Sequence, residues 1–210
     1  MYAYPTSLNL ALMKLIAREE KICTYLDLPL QHIDNAILKR MKRAMTETKT
    51  RRLIEQLRSE MPGLTLRTSF IVGFPGENEE KFHKLEQFVC DVQFERVGVF
   101  TYSQEDGTPA YDMPDQVPHE IAEERHRRLM EVQSEIALKK NQNLVGTVQT
   151  VLVDGVSAET PLLLEARTEG QAPEIDGVVY INEGNTEPGR FEKVLITEAL
   201  PYDLVGKIVK

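Results

Sequence analysis

Three segments hold residue types that could do chemistry, and each lies where an apolar run gives way to turn residues: Asp27-Leu-Pro-Leu-Gln-His32, Gly73-Phe-Pro-Gly-Glu77 and Tyr102-Ser-Gln-Glu-Asp-Gly-Thr108. A glycine at a strand end lets a ligand approach the backbone, and a helix that starts just beyond it favours negative groups. Such a place suits an adenine, a ribose or a carboxylate, although spacing alone reads first as a tight turn with no ligand. Gln31 and His32 follow Pro29; a histidine there could move a proton, but a single loop histidine reads first as polar surface. Asp27 and Arg67 are charges inside apolar strands, so they either pair with each other or face a polar opening where a ligand binds. Lys39, Arg40, Lys42 and Arg43 form a basic cluster that reads as a solvated helix face. The only cysteines, Cys23 and Cys90, exclude a disulfide framework and an all-cysteine metal site within this chain, and the four histidines show no ligand spacing.

The elements that must position these segments alternate. Helical spacing runs through Leu8, Leu12, Leu15 and Ile16, through Asp34 to Met45, through Leu53, Ile54, Leu57 and Met61, and through Phe82, Leu85 and Val89. Strands are expected at 22–28, 64–72 and 94–102. A long amphipathic helix follows from Pro118 to about Asn141, with Ile121, Leu129, Val132 and Ile136 as its apolar stripe. Helix alternating with strand is the signature of a parallel sheet or barrel, whose functional groups gather at the C-terminal strand ends. From Val145 onward the helical period vanishes. Short strands are expected at 145–153, 162–167, 178–181, 191–197 and 204–209, separated by turns such as Asp154-Gly155, Asp176-Gly177 and Pro188-Gly189, which suggests a small antiparallel barrel of OB-like size.

The 210 residues carry 25 Lys+Arg and 33 Asp+Glu, a net charge of −8, and residues 145–210 hold 5 of those cations against 11 acids, a net of −6. An acidic barrel argues against nucleic acid and for a basic partner. No apolar run reaches the roughly 18 residues of a membrane helix, so no membrane role and a cytoplasmic location are expected.

Tyr25-Leu-Asp-Leu-Pro-Leu-Gln-His32, Leu38-Lys-Arg-Met-Lys-Arg43 and Leu66-Arg-Thr-Ser-Phe-Ile-Val-Gly-Phe-Pro-Gly-Glu77 together resemble the radical SAM methylthiotransferases. Arg167-Thr-Glu-Gly-Gln-Ala-Pro-Glu-Ile-Asp-Gly-Val-Val-Tyr-Ile181 resembles the TRAM domain of that family. The resemblance is to the branch that methylthiolates an aspartate of ribosomal protein uS12. The sister branch acts on a tRNA adenosine and has Gln-Ser-Gly-Ser where this chain has Gln31-His32-Ile33-Asp34. The wider radical SAM motif Gly-x-Ile-x-Gly-x-x-Glu is met only in part: Ile71 and Gly73 fit, Ser69 takes the first glycine's place and Glu77 falls one position late.

The resemblance implies an α/β fold, the second half of a radical SAM (β/α) barrel over 1–144, followed by an all-β TRAM barrel over 145–210. It implies S-adenosylmethionine and two 4Fe–4S clusters in the full-length family. The cluster motif of that family would lie upstream, and Cys23 and Cys90 match none of its positions and read as packing residues. The chain alone is therefore expected to be inactive. The residues implied for S-adenosylmethionine are Gln31, Arg67, Gly73, Phe74, Pro75 and Gly76, with Phe100 and Tyr102 near the adenine; Arg67 would hold an anionic group such as the methionine carboxylate. The implied partner is uS12, met by Glu165, Glu169, Glu174, Asp176, Glu183 and Glu187 of the acidic barrel. No catalytic residue is assigned. Half a barrel leaves a strand edge unpaired, so self-association is also expected.

Overall fold

The computed structural model describes residues 3–209, and the chain divides into two compact units, 1–133 and 134–210. Met1 and Tyr2 lie outside the described residues; the Ala3 backbone N–H donates to the Asp27 carbonyl at 2.9 Å.

The first unit contains α1 (Leu10–Arg18), β1 (Tyr25–Asp27), α2 (Asn35–Arg40), α3 (Glu47–Glu60), β2 (Thr65–Val72), α4 (Glu79–Val92), β3 (Arg96–Thr101) and the first part of α5 (His119–Gln142). Four of the helices start where a short polar side chain accepts an orphan N–H of the first turn: Asn9 for α1, Asp34 for α2, Thr46 for α3 and Asn78 for α4. The three strands form a parallel sheet in the order β1-β2-β3, with Asp27 opposite Arg67 and Arg67 opposite Arg96. Along β2 every second residue is buried: Leu66, Thr68, Phe70 and Val72 turn to the helix layer. There the Phe70 ring meets Phe88 of α4 and Phe94 edge-on, at centroid distances of 6.2 and 5.9 Å. Arg67, Ser69 and Ile71 take the opposite, half-open face.

Two expectations change here. The buried stripe of α5 is Ala122, Arg125, Leu129, Gln133, Ala137 and Asn141, and Ile121 is exposed. Three of these six are polar, so the apolar spacing found Leu129 at the centre of the stripe but left out its polar members, with Val132 and Ile136 only half-buried beside it. Cys23 and Cys90 are exposed rather than packed. Cys23 precedes β1, and Cys90 lies away from the Phe82, Leu85, Phe88, Val89 and Val92 face of α4.

An ion pair between Lys84 Nζ and Glu47 Oε2 at 2.7 Å ties α4 to the start of α3. The Lys84 hydrogen bond holds the Glu47 carboxyl below its usual 4.5, and Glu47 in turn raises Lys84. A depressed carboxyl contributes stability above its unfolded value and loses it as pH falls through the folded one. The raised lysine contributes below its unfolded value and loses that only in strong alkali. The melting temperature should therefore fall as pH drops below about 4.5, and Lys84→Met should flatten that fall, by no more than about 1 kcal/mol for a partly exposed pair. Equal acid slopes in both proteins would refute it.

The second unit holds the end of α5 and five strands, β4 (Val148–Val156), β5 (Leu164–Arg167), β6 (Val179–Glu183), β7 (Phe191–Ala199) and β8 (Leu204–Ile208), closed into a barrel in the order β4-β5-β6-β8-β7. Its core is small and mostly β-branched, with six valines and isoleucines (Val151, Val153, Val179, Ile181, Val194, Ile196) around Ala166 and Leu204. All pairs are antiparallel except β6 with β8, which run parallel, so the barrel is not antiparallel throughout. Asp154-Gly155 is not a turn; it lies inside β4, where the register shifts between Val153 and Gly155. A β-carbon on Gly206 would stand 2.6 Å from the Leu195 carbonyl oxygen, so closure between β7 and β8 requires glycine there. Among the described residues no helix is long and apolar enough to cross a membrane.

Candidate functional site

The half-open face of the sheet carries most of the polar and aromatic groups singled out from the sequence. Arg67 Nη1 pairs with Asp27 Oδ2 at 2.8 Å across the parallel register, so the two strand charges do meet. Asp27 Oδ1 is buried and has no hydrogen-bond partner. A β-carbon on Gly98 would lie 3.4 Å from the Phe100 ring and 3.5 Å from Arg67 Nη2, so both side chains lean over this glycine of β3. Phe100 is 56% exposed, a large aromatic face left open beside a guanidinium.

Beyond β1 the ladder is repaired around Pro29, which has no N–H to give. Thr68 Oγ1 donates to the Leu28 carbonyl at 2.9 Å and accepts from Leu30 N at 3.3 Å. Gln31 then rejoins β2, its N–H donating to Ser69 O and its carbonyl accepting from Ile71 N, with a left-handed φ of 72°. A non-glycine residue held there stores strain of about 1–3 kcal/mol, which surrounding contacts must impose. Gln31, Ile71 and Phe74 line a cavity of about 270 Å³ with Lys42 and Met113, and Lys42 is also left-handed, at φ 55°. Tyr102 stands edge-on to Phe74 at 5.1 Å. Its hydroxyl is buried without a partner, and burial, then the Glu105 charge, push the phenol above its ordinary range, which keeps it a neutral donor.

The turn after β2 is built around Glu77, whose side chain is fully buried. Its Oε1 accepts from Gly73 N at 2.9 Å and from Arg125 Nη1 at 2.8 Å, and its Oε2 meets His32 Nε2 at 2.9 Å. Gly73 and Gly76 both have positive φ, and a β-carbon on either would collide, with Ala122 of α5 and with the Arg40 guanidinium respectively. Arg40 Nη1 donates to the Pro75 carbonyl at 2.9 Å and Nη2 pairs with Asp115 at 3.3 Å, so this residue is a brace rather than part of a solvated face. Gly73, Pro75 and Gly76 therefore shape the turn; Phe74 lines the cavity shared with Gln31, and Gly76 lines a larger recess of about 610 Å³ with Arg40, Lys81 and Arg125. His32 is 0% exposed, not surface, because Glu77 gives it a buried partner. Sequence reasoning missed Glu77 as a hub and Arg125 altogether. Glu77 was visible as the displaced motif glutamate, whereas Arg125 is one of several charges on a charged helix.

Of the six barrel acids, Glu169, Glu174, Glu183 and Glu187 are exposed. Glu165 instead accepts from Ser157 Oγ at 2.6 Å, and Asp176 Oδ2 from Ala172 N at 2.8 Å, so these two order their own loops. Among the described residues no three His, Cys, Asp or Glu side chains could share a metal ion, so the residues present do not fit an iron–sulfur cluster. Their chemistry is compatible with S-adenosylmethionine: Phe100 offers an open aromatic face, Arg67 a guanidinium, Asp27 Oδ1 a buried acceptor and Tyr102 a buried hydroxyl.

Residues 3–89 match the radical SAM superfamily and residues 145–209 the TRAM domain, and the chain is similar to the radical SAM methylthiotransferases. Within them it is similar to the ribosomal protein uS12 methylthiotransferase RimO. It is 50% identical to RimO of Geotalea uraniireducens over 209 residues, 100% of this chain and 47% of the relative, and 50% identical to that of Geobacter sulfurreducens with the same coverage. The chain thus spans about half the length of these relatives. Two solved structures share the fold. One is the archaeal Methanocaldococcus infernus Elp3 with an N-terminal deletion (TM-score 0.52, 20% identity, 63% of this chain and 32% of that one). The other is coproporphyrinogen III oxidase (HemN) from Escherichia coli, a radical SAM enzyme (TM-score 0.52, 12% identity, 80% and 45%).

Proposed function

We propose that this chain supplies the S-adenosylmethionine-facing strand ends and the TRAM barrel of a cytoplasmic methylthiotransferase acting on an aspartate of uS12, with 1–144 as half of the catalytic barrel and 145–210 as the TRAM domain. The observation that carries the proposal is the shared open face on which Arg67, Phe100 and Gln31 stand, each from a different strand or strand end. S-adenosylmethionine and the two clusters per enzyme that belong to this reading would supply one-electron chemistry. The residues here bind, orient and shield. Phe100 offers a ring face for the adenine and Tyr102 a neutral donor beside Phe74. Arg67 holds the methionine carboxylate while braced by Asp27, whose bare Oδ1 accepts from a ligand donor. Gln31 presents its amide from a strained backbone.

Glu169, Glu174, Glu183 and Glu187 would meet basic uS12, with Glu165 and Asp176 ordering the loops between them. A second reading has one observation behind it. Arg167 of β5 and Phe191 and Lys193 of β7 flank β4, the first two both opposite Leu152 and the last opposite Thr150, and Phe191 is 72% exposed, which is a surface on which an RNA base could stack. The sheet of the first unit ends at β3, and that edge is the basis for self-association of the isolated chain.

The test joins this chain behind the remaining half of the Geotalea uraniireducens relative. Reconstituted with iron, sulfide and reductant, the chimera should release deoxyadenosine from S-adenosylmethionine and methylthiolate uS12 but not tRNA, whereas this chain alone should do neither. Turnover by the chain alone, or a chimera that prefers tRNA, would overturn the proposal.

A further inference from the structure

His32 takes no part in the binding roles above, yet its ring is fully buried and both of its nitrogens are engaged. The Asp34 N–H donates to Nδ1 at 2.9 Å, so Nδ1 carries the lone pair. The ring proton therefore sits on Nε2 and is donated to Glu77 Oε2 at 2.9 Å. Through its other oxygen the same carboxylate holds Gly73 N. One imidazole thus links the segment after β1 to the turn after β2.

A second tie runs parallel to the first. Asp34 Oδ1 caps α2 by accepting from Ala36 N and Ile37 N at 2.9 and 3.2 Å, and α2 carries Arg40, which donates to Pro75 O at 2.9 Å. His32 sits where the two ties meet, next to Gln31 with its left-handed backbone. Leu30, Ile33 and Ile37 nearby in sequence are buried and apolar, so an apolar side chain at this position would have no polar group of its own to desolvate, but it would leave Glu77 Oε2 and the Asp34 N–H without this partner. A buried polar link is costly unless every member is satisfied, and it returns a single fixed geometry. Here that geometry is spent on a residue whose strain has to be imposed from outside.

We infer that His32 is a positioning residue: by holding Glu77 on one side and Asp34 on the other, it keeps Gln31 in its left-handed conformation and the Gly73–Gly76 turn in register along the ligand-facing edge. That the ligand is S-adenosylmethionine rests on the proposed function; the tie itself does not.

The tie is tested on this chain, labelled with ¹⁵N. The His32 ring should show the Nε2–H tautomer. In His32→Leu the Gly73 and Gln31 amides should exchange about tenfold faster or more, while amides within α4, such as Phe88, keep their rates. His32→Gln, which places an amide donor near the lost Nε2–H, should restore much of that protection. His32→Asn, whose side-chain oxygen can replace Nδ1 as acceptor of the Asp34 N–H but whose amide falls short of Glu77, should behave like His32→Leu and serves in its place if the leucine variant does not fold. An Nδ1–H tautomer, unchanged Gly73 and Gln31 exchange, or a loss of protection that is uniform through α4 would each overturn the inference. In the chimera described above, His32→Leu should raise the KM for S-adenosylmethionine about tenfold with kcat changed far less, and His32→Gln should recover the KM. A chimera that never cleaves S-adenosylmethionine would sink the proposed function and leave the exchange result to decide the role of His32.

Discussion

Replacing Gly73 with alanine should cost about 2–5 kcal/mol, one of the largest effects of a single methyl group in this chain. Two penalties add. Gly73 has φ 76°, where an L-residue loses about 1–2 kcal/mol. The new β-carbon would also collide with the Ala122 side chain and lie 3.3 Å from its Cα, so α5 itself must shift, at about 1–3 kcal/mol for overpacking. Gly107 provides the control. Its φ is also 76° but nothing lies within 4 Å of its missing β-carbon. Gly107→Ala should therefore show the backbone penalty alone, about 1–2 kcal/mol. Denaturant titration of both variants reads the difference directly. Equal losses would mean that α5 does not press on the turn. Because Gly73 N is also held by Glu77, Gly73→Ala should weaken ligand binding in the chimera beyond its effect on stability.

The pair Gly73 and Gly107 shows why the sequence left the ligand turn and the plain turn undecided. Both glycines follow a strand in a polar, proline-containing stretch, and only the distant Ala122 separates their roles. Strand β2 was legible because its alternation of Leu66, Thr68, Phe70 and Val72 with Arg67, Ser69 and Ile71 is periodic, and one period fixes both faces. The Asp27–Arg67 pair was one of two readings open to the strand charges, and the parallel register that sets them opposite each other selects it. The stripe of α5 was misread because Arg125, Gln133 and Asn141 are polar and buried, and hydropathy cannot distinguish a satisfied buried amide from an exposed one. Asn141 Nδ2, for example, donates to the carbonyls of Leu200 and Pro201 at 2.9 and 3.2 Å. His32 was hidden for the same reason: its partner lies 45 residues away and on another element. In the barrel, Asp154-Gly155 has the composition of a turn, but the neighbouring strands continue past it and absorb the pair as a bulge.

Glu77→Ala should be close to the stability limit of the first unit. The substitution takes one carboxylate from three buried donors at once: Gly73 N–H, His32 Nε2–H and the Arg125 guanidinium, which is 5% exposed and keeps only the Glu77 backbone carbonyl at 3.1 Å and a 3.7 Å ion pair with the exposed Glu79. Removing one member of a buried ion pair costs about 3–5 kcal/mol, because the remaining charge stays out of water without a partner. That is a large share of the roughly 5–15 kcal/mol that holds a domain together. Glu77→Gln should lose less. Its oxygen still accepts from Gly73 and Arg125, but its NH₂ now faces the His32 Nε2–H, and moving the ring proton to Nδ1 would set it against the Asp34 N–H. The clearest signature is non-additive. In Glu77→Met with Arg125→Met, the stranded cation is gone, so the double variant should be more stable than Glu77→Met alone, with a coupling of about 1–3 kcal/mol. Calorimetry or urea titration of the four proteins measures it. A Glu77→Ala protein within about 1 kcal/mol of the parent, or strictly additive single losses, would mean that the carboxylate is not the hub on which the strand ends depend.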